Sequence, residues 1–243
     1  MMYVLLQSVM MGPRDHQGRL LVLLTSDYLG NLTGDVVGGI LDLGTATLGQ
    51  VSSRTGLSVK VVRAGLALLV KHRLVSHETD ENHSSKIFYR VVSDNILAII
   101  NYPHYTSCIR SSHGELAEMI LEQMIKSGTS SVTSILSEIG SKLISSEAAS
   151  SDDFNLSKSL SDILKIFKTL VNQQYLLTNE TRQESDVQAI CTFIESENMK
   201  NNEDMEQKTR AEKLPEDTTY YYINVPKFTE IMRNKMIVDA ATR

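Results

Sequence analysis

The stretch Thr47-Leu48-Gly49-Gln50-Val51-Ser52-Ser53-Arg54-Thr55-Gly56-Leu57-Ser58 decides the fold. Leu48 and Val51 fall on one face of a short helix. Gly56 can take the left-handed backbone that ends a helix without a Cβ penalty. Ser58 then stands where an N-cap is needed. Val59, Val62, Leu66, Leu69 and Val70 follow at helical spacing, with Lys60, Arg63, Ala67 and Lys71 on the other side. A short helix, a glycine turn and a second helix form a helix-turn-helix. Residues 74–77 read next as a strand, 78–85 as a polar turn and 87–91 as the returning strand. Together these elements make a winged helix.

The same order extends in both directions. Upstream, residues 20–29 read as one helix and 35–41 as another, weakened by Gly38 and Gly39. Downstream, Leu116, Met119, Ile120 and Met124 mark the inward face of a helix over 114–126. Val132, Ile135, Leu136 and Ile139 mark the next, over 132–143. Ser157 is the expected cap of a third, whose stripe is Leu160, Ile163, Leu164, Phe167, Leu170 and Val171. Residues 174–178 read as a strand whose partner is delayed until 219–225. A last helix carries Phe228, Ile231, Met232 and Met236, and is expected to lead into a further domain. The fold class is therefore mainly α with small β-hairpins, arranged as tandem winged-helix domains over 20–102 and 114–240. Residues 1–19 stay unassigned.

Charge separates the chain into contrasting parts. Its 243 residues carry a net charge of -5. Eleven acids and five bases lie between 180 and 217, which leaves the remainder close to neutral. That acidic insert is nearly without apolar residues over 200–217, so it is expected to be disordered in its polar part. Ile190 to Ile194 has enough apolar character for one helical turn. From Leu43 to His77 there is no acid, while Arg54, Lys60, Arg63, Lys71 and Arg73 all fall there. Cys108 and Cys191 are too few for a disulfide framework, and a reducing compartment is the simpler reading. The apolar run at 3–11 lacks the basic start and cleavage site of a signal peptide. No stretch supplies the roughly 20 apolar residues of a spanning helix.

Nothing in the sequence points to catalysis, and no cofactor is implied. There is no glycine-rich phosphate loop. Glu203, Asp204 and Glu206 sit in polar sequence, whereas working carboxylates need a rigid, partly buried setting. His104, Cys108 and His113 are the best metal candidates, but a structural zinc site needs four ligands and no fourth is near. No metal is expected. The serines of the loop at 145–155, Ser151 before Asp152 and Asp153 above all, are possible phosphorylation sites, with a plain loop the favoured reading.

The stretch 48–76, with Arg54-Thr55-Gly56-Leu57-Ser58 and Leu69-Val70-Lys71-His72-Arg73-Leu74-Val75-Ser76, resembles the winged-helix third subunit of RNA polymerase III. So do Asn101-Tyr102-Pro103-His104-Tyr105, Gly114-Glu115-Leu116 and 221–243. The order and spacing of these pieces carry the resemblance, from about Leu20 onward. That family has several winged-helix domains related to the large subunit of general transcription factor IIE. The resemblance implies a nuclear protein that joins two smaller partners on the polymerase clamp and supports initiation and the open promoter complex. Residues 1–19 depart from the pattern. The family's later winged helices and C-terminal coiled coil have no counterpart in this sequence.

Two kinds of contact are then expected. Lys60, Arg63, Lys71, Arg73 and Lys86 are the candidates for phosphate contact with DNA through charge neutralisation. Base readout is the least favoured use of that helix, because only Lys60 and Arg63 suit base edges. Val61, Ala64 and Leu68, read as lying on the same surface as Gly65 and Ala67, are the candidate subunit interface, together with Phe228 and Ile231. The alternative function is a free-standing winged-helix regulator, which this apolar recognition surface argues against.

Overall fold

Three small strands and the helices around them organise each half of the chain. The structure, a computed structural model, describes residues 16–79, 86–147, 156–178 and 219–241. The apolar run at 3–11, the loop serines from 148 on and the acidic insert lie outside these residues. The chain divides between Asn101 and Tyr102.

The first unit runs α1 (His16–Leu29), α2 (Asn31–Leu43), β1 (Ala46–Thr47), α3 (Leu48–Thr55), α4 (Val59–Lys71), β2 (Val75–Thr79), β3 (Ile87–Val91), α5 (Ser93–Ala98) and a 3-10 turn at Ile99–Asn101. Its sheet has the order β1-β3-β2, all antiparallel, with Ala46 opposite Tyr89 and His77 opposite Tyr89 from the other side. Val36, Val37, Ile40, Val51, Val62, Leu66, Leu69 and Leu74 form its core. Burying each such side chain stabilises the unit by roughly 1.5–3 kcal/mol. The second helix is longer than its glycines suggested. A Cβ at Gly39 would stand 2.7 Å from Thr55 Cγ2, so the glycine lets α2 lie close against α3. Close packing offsets the propensity cost of about 1 kcal/mol.

The second unit runs α6 (Tyr102–His113), α7 (Glu115–Ser127), β4 (Ser130–Ser131), α8 (Val132–Glu147), α9 (Leu156–Asn172), β5 (Leu176–Thr178), β6 (Tyr220–Ile223) and α10 (Val225–Ala241). Its sheet repeats the first, in the order β4-β6-β5, with Leu176 opposite Ile223. Ile120, Met124, Ile135, Ile139, Ile163, Phe167 and Leu170 are buried. Phe167 meets Tyr221 edge-on at 5.0 Å, an arrangement favoured by the ring quadrupoles. The mainly α architecture with small antiparallel sheets is the one the sequence predicts. Three details differ. The two-residue strands β1 and β4 are too short to show alternation. Helix α6 buries only Tyr105 and Ile109, too thin a stripe to stand out among its serines and histidines. Ser157 lies within α9, which begins at Leu156, rather than before it.

Candidate nucleic-acid and subunit interface

The helix-turn-helix is fixed by local hydrogen bonds. Thr47 opens α3 with a capping box: its backbone N–H donates to Gln50 Oε1 at 2.8 Å, and Gln50 N–H returns to Thr47 Oγ1 at 3.5 Å. This satisfies donors that a helix N-terminus leaves open. Gly56 closes α3 at φ 72°, its N–H donating to the Ser52 carbonyl. Ser52 Oγ donates across the turn to the Leu57 carbonyl at 2.7 Å. Ser58 occupies the N-cap position of α4, but its side chain makes no capping bond.

With the turn locked, α4 has three faces. Val62, Leu66 and Leu69 are buried. Lys60, Arg63, Ala64, Ala67 and Lys71 are exposed. Val61, Gly65 and Leu68 are half-buried between the two. A Cβ at Gly65 would come within 3.3 Å of Val36 Cγ2, so this flank faces α2. Val61, Gly65 and Leu68, expected on the basic surface, lie at its half-buried edge, and of the candidates Val61, Ala64 and Leu68 only Ala64 is exposed among the bases. Val59, expected in the core stripe, is instead 46% exposed at the helix start.

The charges divide in a similar way. Arg54 is held by Asp42, which lies just before the acid-free stretch and accepts from Arg54 Nη2 at 2.9 Å and Nε at 3.0 Å. Lys60, Arg63 and Lys71 project from α4, while Lys86 is exposed at the start of β3. Arg90, also exposed on β3, was not singled out in the sequence. Period-two alternation from Lys86 through Phe88 was the signal that it shares the side of Lys86. His72 adds no charge at neutral pH. Burial, and secondarily the Lys71 charge, lowers its pKa from 6.5 to about 4. Its ring lies edge-on to Tyr28 at 5.5 Å, with Tyr28 Oη 3.4 Å from Nδ1.

Arg73 is half-buried and has φ 58°, a left-handed conformation uncommon outside glycine. It ends α4 in a Schellman pattern: Arg73 N–H donates to the Val70 carbonyl and Leu74 N–H to that of Leu69, both at 2.9 Å. The Arg73 carbonyl accepts from Asn95 Nδ2 at 2.7 Å.

The second unit corrects one interface expectation outright. Phe228 is fully buried in its own unit. Its ring stacks on Tyr105 at 4.7 Å and meets Tyr175 at 5.4 Å. The apolar spacing of the last helix announced this core as much as an interface, and the partner for Phe228 came from α6, which the sequence did not reveal. Ile231 is half-buried. Large apolar side chains are exposed elsewhere, at Leu23 (61%) on α1, Leu32 on α2 and Ile237 on α10. Of the residues weighed for metal binding, His104 is exposed and His113 packs edge-on to Tyr175 at 5.4 Å. Burial, then the nearby Cys108, raises the Tyr175 pKa. Among the described residues no three His, Cys, Asp or Glu side chains cluster as metal ligands. Among the same residues no helix is long and apolar enough to cross a membrane.

Residues 19–79, which contain the helix-turn-helix and reach β2, match the family model of the RNA polymerase III subunit RPC82 helix-turn-helix domain. The chain is also similar to DNA-directed RNA polymerase III subunit RPC3 of Danio rerio, 23% identical over 160 residues. That alignment takes in 65% of this chain and 29% of the relative. The Homo sapiens subunit of the same name is 22% identical over 125 residues, 51% of this chain and 23% of the relative. The Bos taurus protein is 20% identical over the same length. The chain thus spans between a fifth and a third of the curated relatives it matches.

Proposed function

From this RPC3-like character, low in identity but matched in the helix-turn-helix, we propose that the chain serves as a non-catalytic part of nuclear RNA polymerase III. In this reading it binds other polymerase subunits and touches DNA without reading its sequence, in support of initiation and the open complex. The observation that carries the reading is the match over residues 19–79, because it falls on the module that bears the exposed basic face. Lys60, Arg63 and Lys71 supply phosphate contacts from α4, with Lys86 reaching from the wing and Arg73 at the corner between them. A handful of such contacts gives weak, salt-sensitive binding that falls as salt is added. Ala64, flanked by Val61 and Leu68, and Ile231 are left for subunit contact. Apolar area covered there stabilises an assembly by roughly 25 cal/mol per Å².

Tagged protein recovered from cells provides the test. Co-purification of RNA polymerase III subunits, lost on Ala64→Asp without loss of folding, is the expected result. A lone monomer in extract, or tight binding to one duplex sequence at physiological salt, rejects the subunit reading. The second outcome would instead favour a free-standing regulator.

A further inference from the structure

Each unit ends its helix-turn-helix at the same strained corner, and each secures that corner with an asparagine. In the first, Arg73 at φ 58° links α4 to β2. In the second, Gln174 at φ 60° links α9 to β5. The backbone pattern repeats bond for bond: Gln174 N–H donates to the Val171 carbonyl and Tyr175 N–H to that of Leu170, both at 2.9 Å. The far end of each hairpin then returns to the corner. Val92 N–H donates to the Leu74 carbonyl at 2.9 Å, and Asn224 N–H to the Tyr175 carbonyl at 3.0 Å. Finally, an asparagine amide reaches the carbonyl of the left-handed residue itself, from Asn95 to Arg73 at 2.7 Å and from Asn224 to Gln174 at 2.8 Å.

The two asparagines arrive by different routes. Asn224 is the residue whose backbone closes the hairpin, whereas Asn95 lies three residues past Val92, inside α5. The same contact reached from different positions means that the corner needs it, whatever the local spacing. Its physical role follows from geometry. A non-glycine residue in the left-handed region costs of order 1 kcal/mol or more and persists only where its surroundings over-determine it. The wing joins the recognition helix through three residues, His72 to Leu74, and Arg73 is the left-handed one that turns the chain. Fixing its carbonyl fixes the angle at which the hairpin leaves the helix.

We infer that Asn95 and Asn224 are positioning residues that lock each wing to its recognition helix. In the first unit the lock lets Lys86 on the wing and Lys60, Arg63 and Lys71 on α4 engage one backbone together. That last step rests on the DNA contact proposed above. The lock itself does not. Groups held together bind as one multivalent surface, while a swinging wing contributes at a lower effective concentration.

Amide exchange and binding by the full chain test the two parts separately. Asn95→Ala, and the near-isosteric Asn95→Asp, which cannot donate when ionised, should speed exchange of the Leu74 and Val92 amides by up to about tenfold, the worth of one hydrogen bond. The Leu66 amide should keep its protection. Asn224→Ala should do the same at Tyr175. Unchanged exchange at both corners overturns the lock. For binding, a short random-sequence duplex is titrated at several salt concentrations. Wild type should lose affinity on Lys86→Ala, and the Asn95→Ala protein should lose almost nothing more when Lys86 is also removed, with a shallower salt slope from the start. A Lys86 effect of full size in the Asn95→Ala background overturns the positioning role. If the wild-type chain binds no duplex at all, the DNA reading fails and the exchange experiment still decides the lock.

Discussion

Counted back from the left-handed corner, the two recognition helices can be laid on each other residue by residue. Arg73 falls on Gln174, Leu69 on Leu170, Leu66 on Phe167 and Val62 on Ile163. These inward positions are buried in both helices. The outward positions differ. Exposed Arg63 falls on Leu164, which is buried. Lys60 falls on Ser161 and Lys71 on Asn172. Lys165, on the outer face of α9, is already engaged by Asp162 at 3.2 Å. The scaffold repeats because packing, capping and the strained corner repeat. The charged surface does not, which confines the proposed phosphate contacts to the first unit.

The largest effect expected from this comparison lies in the helix that follows each wing. In the first unit it is the six-residue α5, which buries Ile96 and Ala98. In the second it is α10, anchored by Phe228 between Tyr105 and Tyr175. Phe228→Ala removes a ring with two aromatic neighbours and should cost about 3–5 kcal/mol. Denaturant unfolding followed by exchange should show the second unit's amides losing protection while those of the first keep theirs. Equal loss in both units would show that the units do not unfold independently.

Next in size is the contrast in charge. Reversal of Lys60, Arg63 and Lys71 to Glu should weaken duplex binding to all sequences alike, by more than about tenfold at low salt, and reduce the salt slope by up to about 3. Reversal of Lys165 and Lys168 in α9 should change it far less. Equal effects from the two helices would erase the distinction between the faces.

Much of this was legible beforehand, for reasons that can be named. The stripe Val62, Leu66, Leu69 announces its period directly, and Gly56 advertises a left-handed turn that only a glycine adopts cheaply. The corner at Arg73 carried no such sign, because arginine is not expected at φ 58° and the bond from Asn95 spans 22 residues. Arg54 is one of five bases in the acid-free stretch, and nothing in the sequence signalled that Asp42, twelve residues earlier, holds it. For Phe228 the sequence showed an apolar helix but could not say whether its own unit or a partner covered it. Contacts between elements distant in sequence decide such cases, and periodicity within one element does not contain them.

A smaller effect separates the corners by pH. His72 falls on Gln173, which does not titrate. As pH drops, the unfolded chain protonates His72 near 6.5, while the folded one resists until about 4. The unfolded state therefore binds more protons in that window, and stability is full above pH 6.5 and lost progressively toward 4. Partial exposure of the ring makes the loss smaller than the shift alone implies. Thermal melts of wild type and His72→Gln should diverge as pH falls, with the substituted protein losing less of the first unit's stability. Parallel curves would assign acid sensitivity to other groups.

The smallest effect concerns the hairpins themselves. In the first unit β2 and β3 are joined by the short polar stretch after Thr79, whereas β5 and β6 are joined by residues 179–219, among which the acidic insert falls. Closing a flexible connection costs entropy that grows only as the logarithm of its length, about 0.6 kcal/mol for each doubling. Residues 200–216 are nearly without apolar side chains, the surface whose burial offsets the entropy of ordering a chain. Removing them shortens the connection by somewhat less than half. The second unit should then gain about 0.5 kcal/mol, a rise in melting temperature of a few degrees at most. A fall of several degrees would mean that the stretch contributes packing of its own, and the two hairpins would then differ in kind as well as in the length of chain that closes them.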